Sequence, residues 1–357
     1  ERYFSNDGIP WVKTLDLNNA RIEDTEEKIT DLALQETSCS VFPVDTVLVA
    51  MYGGFNQIGR TGVLGMPAAI NQALSALIID NSKALSQYVL YFLNGNVKRW
   101  KQFAASSRKD PNITQSDVKN FAILLPPLAE QEKIAEILST WDHAIEQTER
   151  LKANAETHKQ ALMQQLLTGK KRFPEFEGEW EAKVLGDIVK ISKGQQKNRI
   201  DLTANGKYPV INGGIEPSGY TDEYNRMENI ITISEGGNSC GYVNFIKTKF
   251  WCGGHCYSML EPSIDNHFLF HALKFREKAL MQLRVGSGLP NIQKRDVESF
   301  KIEYPVLMSE QQKIAAVLNT ADREIELLAQ KLDYLKTEKR ALMQQLLTGK
   351  RRVKVDG

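Results

Sequence analysis

Four cysteines in 357 residues, Cys39, Cys240, Cys252 and Cys256, are too few to staple a chain of this length. A disulfide scaffold is excluded, and a reducing cytoplasm is the simplest setting. No apolar run approaches the ~18–20 residues that span a bilayer, and no signal peptide is visible. The chain starts at Glu1 rather than at a methionine, so this expectation covers only the residues from Glu1 onward. Excess charge is lacking too: 45 Lys and Arg against 44 Asp and Glu leave a net charge of +1. Attraction to an acidic partner must then come from local patches.

Catalytic signatures are also scarce. Gly53-Gly54 and Gly236-Gly237 lack the lysine and Ser/Thr of a P-loop, which leaves tight hairpins as the better reading. No G-x-S-x-G occurs. Glu175, Glu181 and Lys183 loosely resemble a nuclease pattern but fall in a charged linker. Leu125-Pro126-Pro127-Leu128 has the double proline of a DNA methyltransferase motif without the polar residue that would hold the target amine. Cys240, Cys252, His255 and Cys256 are zinc-type ligands. Adjacent His255 and Cys256 would face opposite ways on a strand, and Phe250, Trp251 and Tyr257 around them read as core, so no metal is expected.

What the chain does have is a repeat. ALMQQLLTGK occupies residues 161–170 and returns, letter for letter, at 341–350. Residues 130–172 align with 310–352 without a gap, and 23 of the 43 positions are identical. Upstream, Asn112-Ile113, Asp117-Val118 and Phe121 match Asn291-Ile292, Asp296-Val297 and Phe300 after a one-residue shift. Two copies are too few for a solenoid and point to a pseudo-twofold object.

Each copy reads as a long helix. In the second, Ile314, Leu318, Ala321, Ile325, Leu328, Leu332, Leu335, Lys339, Leu342 and Leu346 alternate steps of four and three, and nine of the ten are apolar. That is a coiled-coil seam of nearly five heptads. The first copy gives Ile134, Leu138, Trp141, Ile145, Thr148, Lys152, Ala155, Lys159, Leu162 and Leu166. Its polar middle is expected either to drift to Leu151, Ala155 and His158 or to face another protein. A helix over 130–167 would be ~57 Å long, beyond a usual globular helix. Ser309 with Gln312 reads as a capping box, while the first copy relies on Pro127. Gly169 and Gly349 are stop signals. Lys170-Lys171-Arg172 and Lys350-Arg351-Arg352 place positive charge at the negative helix end.

The segments before each helix share an order of elements but little sequence. Strand-like Val47-Leu48-Val49-Ala50-Met51-Tyr52 runs into Gly53-Gly54, and Ile230-Ile231-Thr232-Ile233 runs towards Gly236-Gly237, as hairpins do. Helical stretches follow at 86–98 and 266–275, then the Asn-Ile turns. Basic and amide residues gather near these loops. The first segment offers Arg60, Lys98, Arg99, Lys101, Arg108 and Lys109, with Trp100 among them. The second offers Lys193, Gln195, Gln196, Lys197, Arg199, Lys247, Lys249, Arg284, Lys294 and Arg295. Lysine and arginine give affinity for phosphates, and amides and arginine read base edges.

The whole resembles the specificity subunit of type I restriction–modification enzymes. The resemblance is carried by Leu185-Gly186-Asp187-Ile188 with Gly194 soon after, by Pro127-Leu128-Ala129-Glu130-Gln131-Glu132-Lys133-Ile134, and by Leu307-Met308-Ser309-Glu310-Gln311-Gln312-Lys313-Ile314. Gly8-Ile9-Pro10-Trp11-Val12 resembles a stretch early in such recognition domains. The second helix start lacks the adjacent proline; Pro305 lies just upstream. The first half has no counterpart of 185–194, so its recognition domain is expected to be N-terminally incomplete.

The resemblance implies an α+β chain: two globular α/β target-recognition domains, 1–125 and 171–305, separated by two long helices, 126–170 and 306–357, forming an antiparallel coiled coil. It implies a non-catalytic reader of a bipartite double-stranded DNA target, with no cofactor of its own. Two modification subunits carrying S-adenosylmethionine would dock on the coiled coil, with restriction subunits as further partners. The alternatives are the recognition subunit of a related methylating endonuclease, a coiled-coil scaffold that never touches DNA, and an enzyme using the Cys240/Cys252/His255/Cys256 group.

Overall fold

The computed structural model describes residues 2–54, 56–105, 112–286, 288 and 290–354. Arg108 and Lys109 lie outside the described residues, as does the Arg199 side chain. The chain divides into two compact units, Glu1–Glu149 with Gln330–Gly357, and Arg150–Ala329. The division cuts both long helices, Leu128–Leu166 and Met308–Leu346, so each unit holds half of each.

In the first unit, Val47–Ala50 is buried at every residue, as a strand covered on both faces must be. It pairs antiparallel with Thr61–Leu64 across the turn that holds Gly53 and Gly54, and with Leu74–Leu77 on its other side. A second sheet runs in the order Glu27–Ile29, Phe4–Val12, Ala68–Ile70, Val41–Phe42. The helix Ser86–Gly95 buries Tyr88, Val89, Leu90, Tyr91, Phe92 and Leu93. The stretch expected over 86–98 is broken at Asn96, whose side chain donates to Phe92 O at 2.8 Å and closes the helix; Val97–Ala105 is separate.

The second unit repeats the plan. Ile230–Ser234 lies between Val243–Ile246 and Cys256–Leu260, with Lys190–Lys193 beyond, all antiparallel. The helix Asn266–Phe275 has the expected bounds and is capped by Asp265, whose carboxylate accepts from Phe268 N. A ribbon of Trp180–Val184 with Lys301–Pro305 and a small sheet around Tyr208–Ile211 complete it. Each Asn-Ile turn closes on the central strand in the same way. Ile113 N–H donates to Met51 O at 3.1 Å, and Ile292 N–H donates to Glu235 O at 2.8 Å.

Within each unit the two helix halves run antiparallel, as their ion pairs show. Lys336 meets Glu149 at 2.7 Å and Lys339 meets Asp142 in the first unit; Lys159 meets Asp322 in the second. Ile134, Leu138, Ile314 and Leu318 are buried, as are Leu166, Leu335 and Leu346. Trp141, Ile145, Leu162, Ile325, Leu328, Leu332 and Leu342 are half-buried. The drift expected in the first helix does not occur: Leu151 is 52% exposed and His158 is exposed. Its polar middle turns inward instead. Thr148 is buried with its hydroxyl donating to Ala144 O, and Lys159 reaches Asp322.

The repeated letters now have physical reasons. Leu166-Leu167 is buried in the core of the second unit and Leu346-Leu347 in that of the first. The next residue, Thr168 or Thr348, satisfies a last-turn carbonyl, that of Gln164 or Gln344. Gly169 and Gly349 then take φ of +67° and +70°, where a side chain is strained. The chain turns back, and Arg172 makes a two-pronged bond to Glu310 at 2.9 and 2.7 Å; Arg352 does the same to Glu130. Each arginine thus clamps the start of the opposite helix. Arg352 holds the buried Glu130 carboxyl below its usual range.

The glutamine beside each glutamate locks the helix start to its domain. Gln131 accepts from Leu85 N at 3.0 Å and donates to Lys83 O and Pro126 O. Gln311 accepts from Asp265 N at 2.7 Å and donates to Pro305 O at 2.8 Å. Ser309 is therefore not the helix cap: the carbonyls of Pro127 and Leu307 accept the first helical bonds, and the glutamine fixes the turn. One position breaks the equivalence. Tyr91 donates to Asp142 at 2.7 Å beside Lys339, whereas the matching residue beside Lys159 and Asp322 is His271. His271 is fully buried, with Nε2 2.9 Å from Asn319 Oδ1 and Nδ1 without a hydrogen bond, 3.9 Å from the Asp322 carboxylate; burial pushes its imidazole below the usual range.

Candidate nucleic-acid interface

The second unit knots three loops together above the sheet. A Cβ on Gly194 would fall 2.1 Å from the backbone oxygen of Gly253, so only glycine permits this approach, and Gly254 lies beside the Gln196 side chain. Backbone bonds tie the knot: Gly194 N–H donates to Cys256 O, Gln195 N–H to Cys252 O, and Gly253 N–H to Ile211 O. Asn212 Oδ1 accepts from His255 N at 3.1 Å.

Four of the expected contact residues come together here. Lys193, Gln195 and Gln196 are exposed. Lys197 is half-buried, with Nζ 4.0 Å above the Trp251 ring and 2.8 Å from Glu223. Lys193 meets Glu235 at 2.5 Å. Glu235 also accepts from Tyr257 OH at 3.0 Å and lies 3.6 Å from His255 Nδ1; with burial, this carboxylate pushes the Tyr257 phenol up. The partners Glu223 and Glu235 carried no sequence signal, being scattered acids. Trp251, read from sequence as core, is half-buried and donates to Gln195 O at 2.9 Å, while its neighbour Phe250 is fully buried.

The other expected residues are dispersed. Lys247 is exposed and lines a cleft of about 490 Å³ with Asn244, Phe245, His267 and the helix residues Asn319, Asp322 and Arg323. Lys249 lies over Tyr224. Arg284 is exposed, Lys294 pairs with Glu298 at 3.2 Å, and Arg295 lies 3.7 Å from Asp296. In the first unit Lys98 is exposed, and Arg60 and Lys101 are half-buried. Arg99 is taken up by packing: it donates to Ala122 O at 3.1 Å and lies over Phe121. Arg276 does the same at Lys301 O and Phe300, a matched pair that marks Arg99 as structural. Trp100 is fully buried, stacked 4.0 Å from Phe121.

The cysteines are inward groups. Cys240 Sγ donates to Glu235 O at 3.0 Å, and Cys252 and Cys256 are buried with their thiols against backbone carbonyls. His255 is 63% exposed, whereas Cys240, Cys252 and Cys256 are buried. Among the described residues no group of three or more His, Cys, Asp or Glu is placed to hold a metal ion. Among them, too, no helix is long and apolar enough to cross a membrane.

Two units with the same order of elements, each closed by the same helix-end sequence, make this an internally duplicated α/β and long-helix fold. The family model described as type I restriction modification DNA specificity domain matches the chain twice, at residues 3–157 and 177–337, and the chain belongs to that family. A putative type I specificity subunit of Mycoplasma pneumoniae is 36% identical over 150 residues, 41% of this chain and 40% of the relative. That alignment therefore spans less than half of the relative's length. A putative type I restriction enzyme specificity subunit of Methanocaldococcus jannaschii is 26% identical over 97% of this chain and 88% of its own. The crystal structure of a type I restriction–modification S subunit from M. genitalium has the same fold, with a TM-score of 0.71 and 19% identity over 97% of this chain and 91% of that one.

Proposed function

We propose that the chain is the DNA-reading subunit of a type I restriction–modification complex and has no catalytic machinery of its own. Each unit reads one half of a bipartite duplex target, and the helices dock two modification subunits that carry S-adenosylmethionine; restriction subunits are further partners. The observation that carries this reading is the double match of the specificity family, one match to each of two units whose invariant residues build a frame and whose variable loops differ. In the DNA-facing set we place Arg60, Lys98, Lys101, Lys193, Gln195, Gln196, Lys197, Lys247, Arg284, Lys294 and Arg295, with Arg108, Lys109 and Arg199 included on sequence grounds.

The test is methylation-sensitive sequencing of DNA from cells carrying the chain with its modification subunits. Two short specific blocks around a fixed gap are expected. Methylation by the purified chain with cofactor and no other subunit would overturn the reading. Binding to that duplex should weaken steeply with salt, because phosphate contacts release counterions; a pure scaffold would show no such binding.

A further inference from the structure

The loop knot of the second unit is built unlike a phosphate grip. Its two lysines are already paired, Lys193 with Glu235 and Lys197 with Glu223, so the knot carries little free positive charge. Between them stand two exposed neutral amides. Gln195 is fixed at both backbone polar atoms: its N–H donates to Cys252 O and its C=O accepts from Trp251 Nε1, each at 2.9 Å. Gln196 rests against Gly254. Among the described residues nothing engages the Gln195 side-chain amide, and Gln196 Nε2 makes only a 3.4 Å contact with Lys197 O.

A neutral amide neutralises no phosphate, but it offers a donor and an acceptor in one plane, matching N7 and N6 of adenine in the major groove. A backbone already held in place reduces the ordering cost of using it. We propose that Gln195 and Gln196 read an adenine edge in the half-site contacted by the second unit, and that Trp251 is a positioning residue that holds their loop. This rests on the reading of the chain as a DNA specificity subunit.

The test uses the full chain co-purified with its modification subunits and a randomised duplex library. The wild type selects a bipartite sequence. In the Gln195→Ala/Gln196→Ala variant, selectivity at one A·T pair of one half-site should fall roughly 10- to 100-fold. The other half-site and the slope of affinity against salt should not change, since no phosphate contact is removed. Trp251→Phe keeps an aromatic ring, smaller than the indole, and removes the N–H, and should relax the same pair in part. Unchanged selection at the other half-site reports a folded variant; if the alanine variant does not purify, Gln195→Met/Gln196→Met keeps side-chain length without the amide. A variant with the wild-type preference at every position overturns the proposal, and so does a loss that falls on a G·C pair. Selection of no sequence by the wild type would instead bring down the specificity-subunit reading, and this proposal with it.

Discussion

Replacing Gln311 by alanine tests the lock between helix and domain directly. Gln311 is 1% exposed, and its amide is the partner of both Asp265 N–H and Pro305 C=O. Alanine leaves both backbone groups unpaired, the Pro305 carbonyl buried and the Asp265 N–H partly so, at about 1–3 kcal/mol each. Water entering the space would offset part of that, so a loss of roughly 2–4 kcal/mol is expected for the second unit. In a unit of about 180 residues, each kcal/mol lowers the melting temperature by about 2–4 °C, giving a fall of roughly 5–15 °C. Scanning calorimetry reads the size, and hydrogen exchange reads the place. Protection should fall first at the start of the helix Asn266–Phe275, which Asp265 caps. Gln131→Ala should do the same to the first unit, at Ser86–Gly95, because Gln131 serves Leu85 N–H. A change below about 0.5 kcal/mol, the size of an ordinary surface substitution, or protection lost equally in both units, would refute the reasoning.

The pH response should differ between units. His271 is held below its usual pKa, so the fold favours its neutral form; its contribution is complete above the unfolded value near ~6.5 and is lost as pH falls from there towards the depressed folded value. Melting of the second unit should drop as pH falls below about 6.5, and a His271→Gln variant with the same pH response would sink this account. Gly194→Ala drives a Cβ into Gly253 O; the knot should open, and binding at one half-site should be lost while the rest of the chain melts as before. Leu318→Ala, at a fully buried seam position, should cost about 2–5 kcal/mol in chemical denaturation. Glu310→Ala frees Arg172, and trypsin should cut the 170–183 linker faster than in the parent.

Periodicity and repetition made the frame legible. The four-three spacing identified the inward face of both helices, even where Thr148, Lys152 and Lys159 fill it. What the spacing could not convey was why polar letters recur. Glu130, Gln131 and Arg172 repeat as Glu310, Gln311 and Arg352 because each is half of a bond made far along the chain, and distance in sequence hides such pairs. The capping expectation at Ser309 failed for the same reason, since Gln311 fixes that turn through Asp265 and Pro305. Basic residues were the least legible. Arg99 and Lys197 look alike as letters, yet one is spent on Phe121 and Ala122 and the other stands on Trp251 beside an open loop.

The first unit is assembled from two separate stretches, with Leu346, Leu347 and Arg352 completing a core begun near residue 47, whereas the second unit is one unbroken stretch, Arg150–Ala329. During synthesis, then, the middle of the chain has all its parts before the beginning does. The first unit must wait, with its hydrophobic face uncovered, until Leu346 and Leu347 have emerged, and its nascent form is where chaperone contact should concentrate.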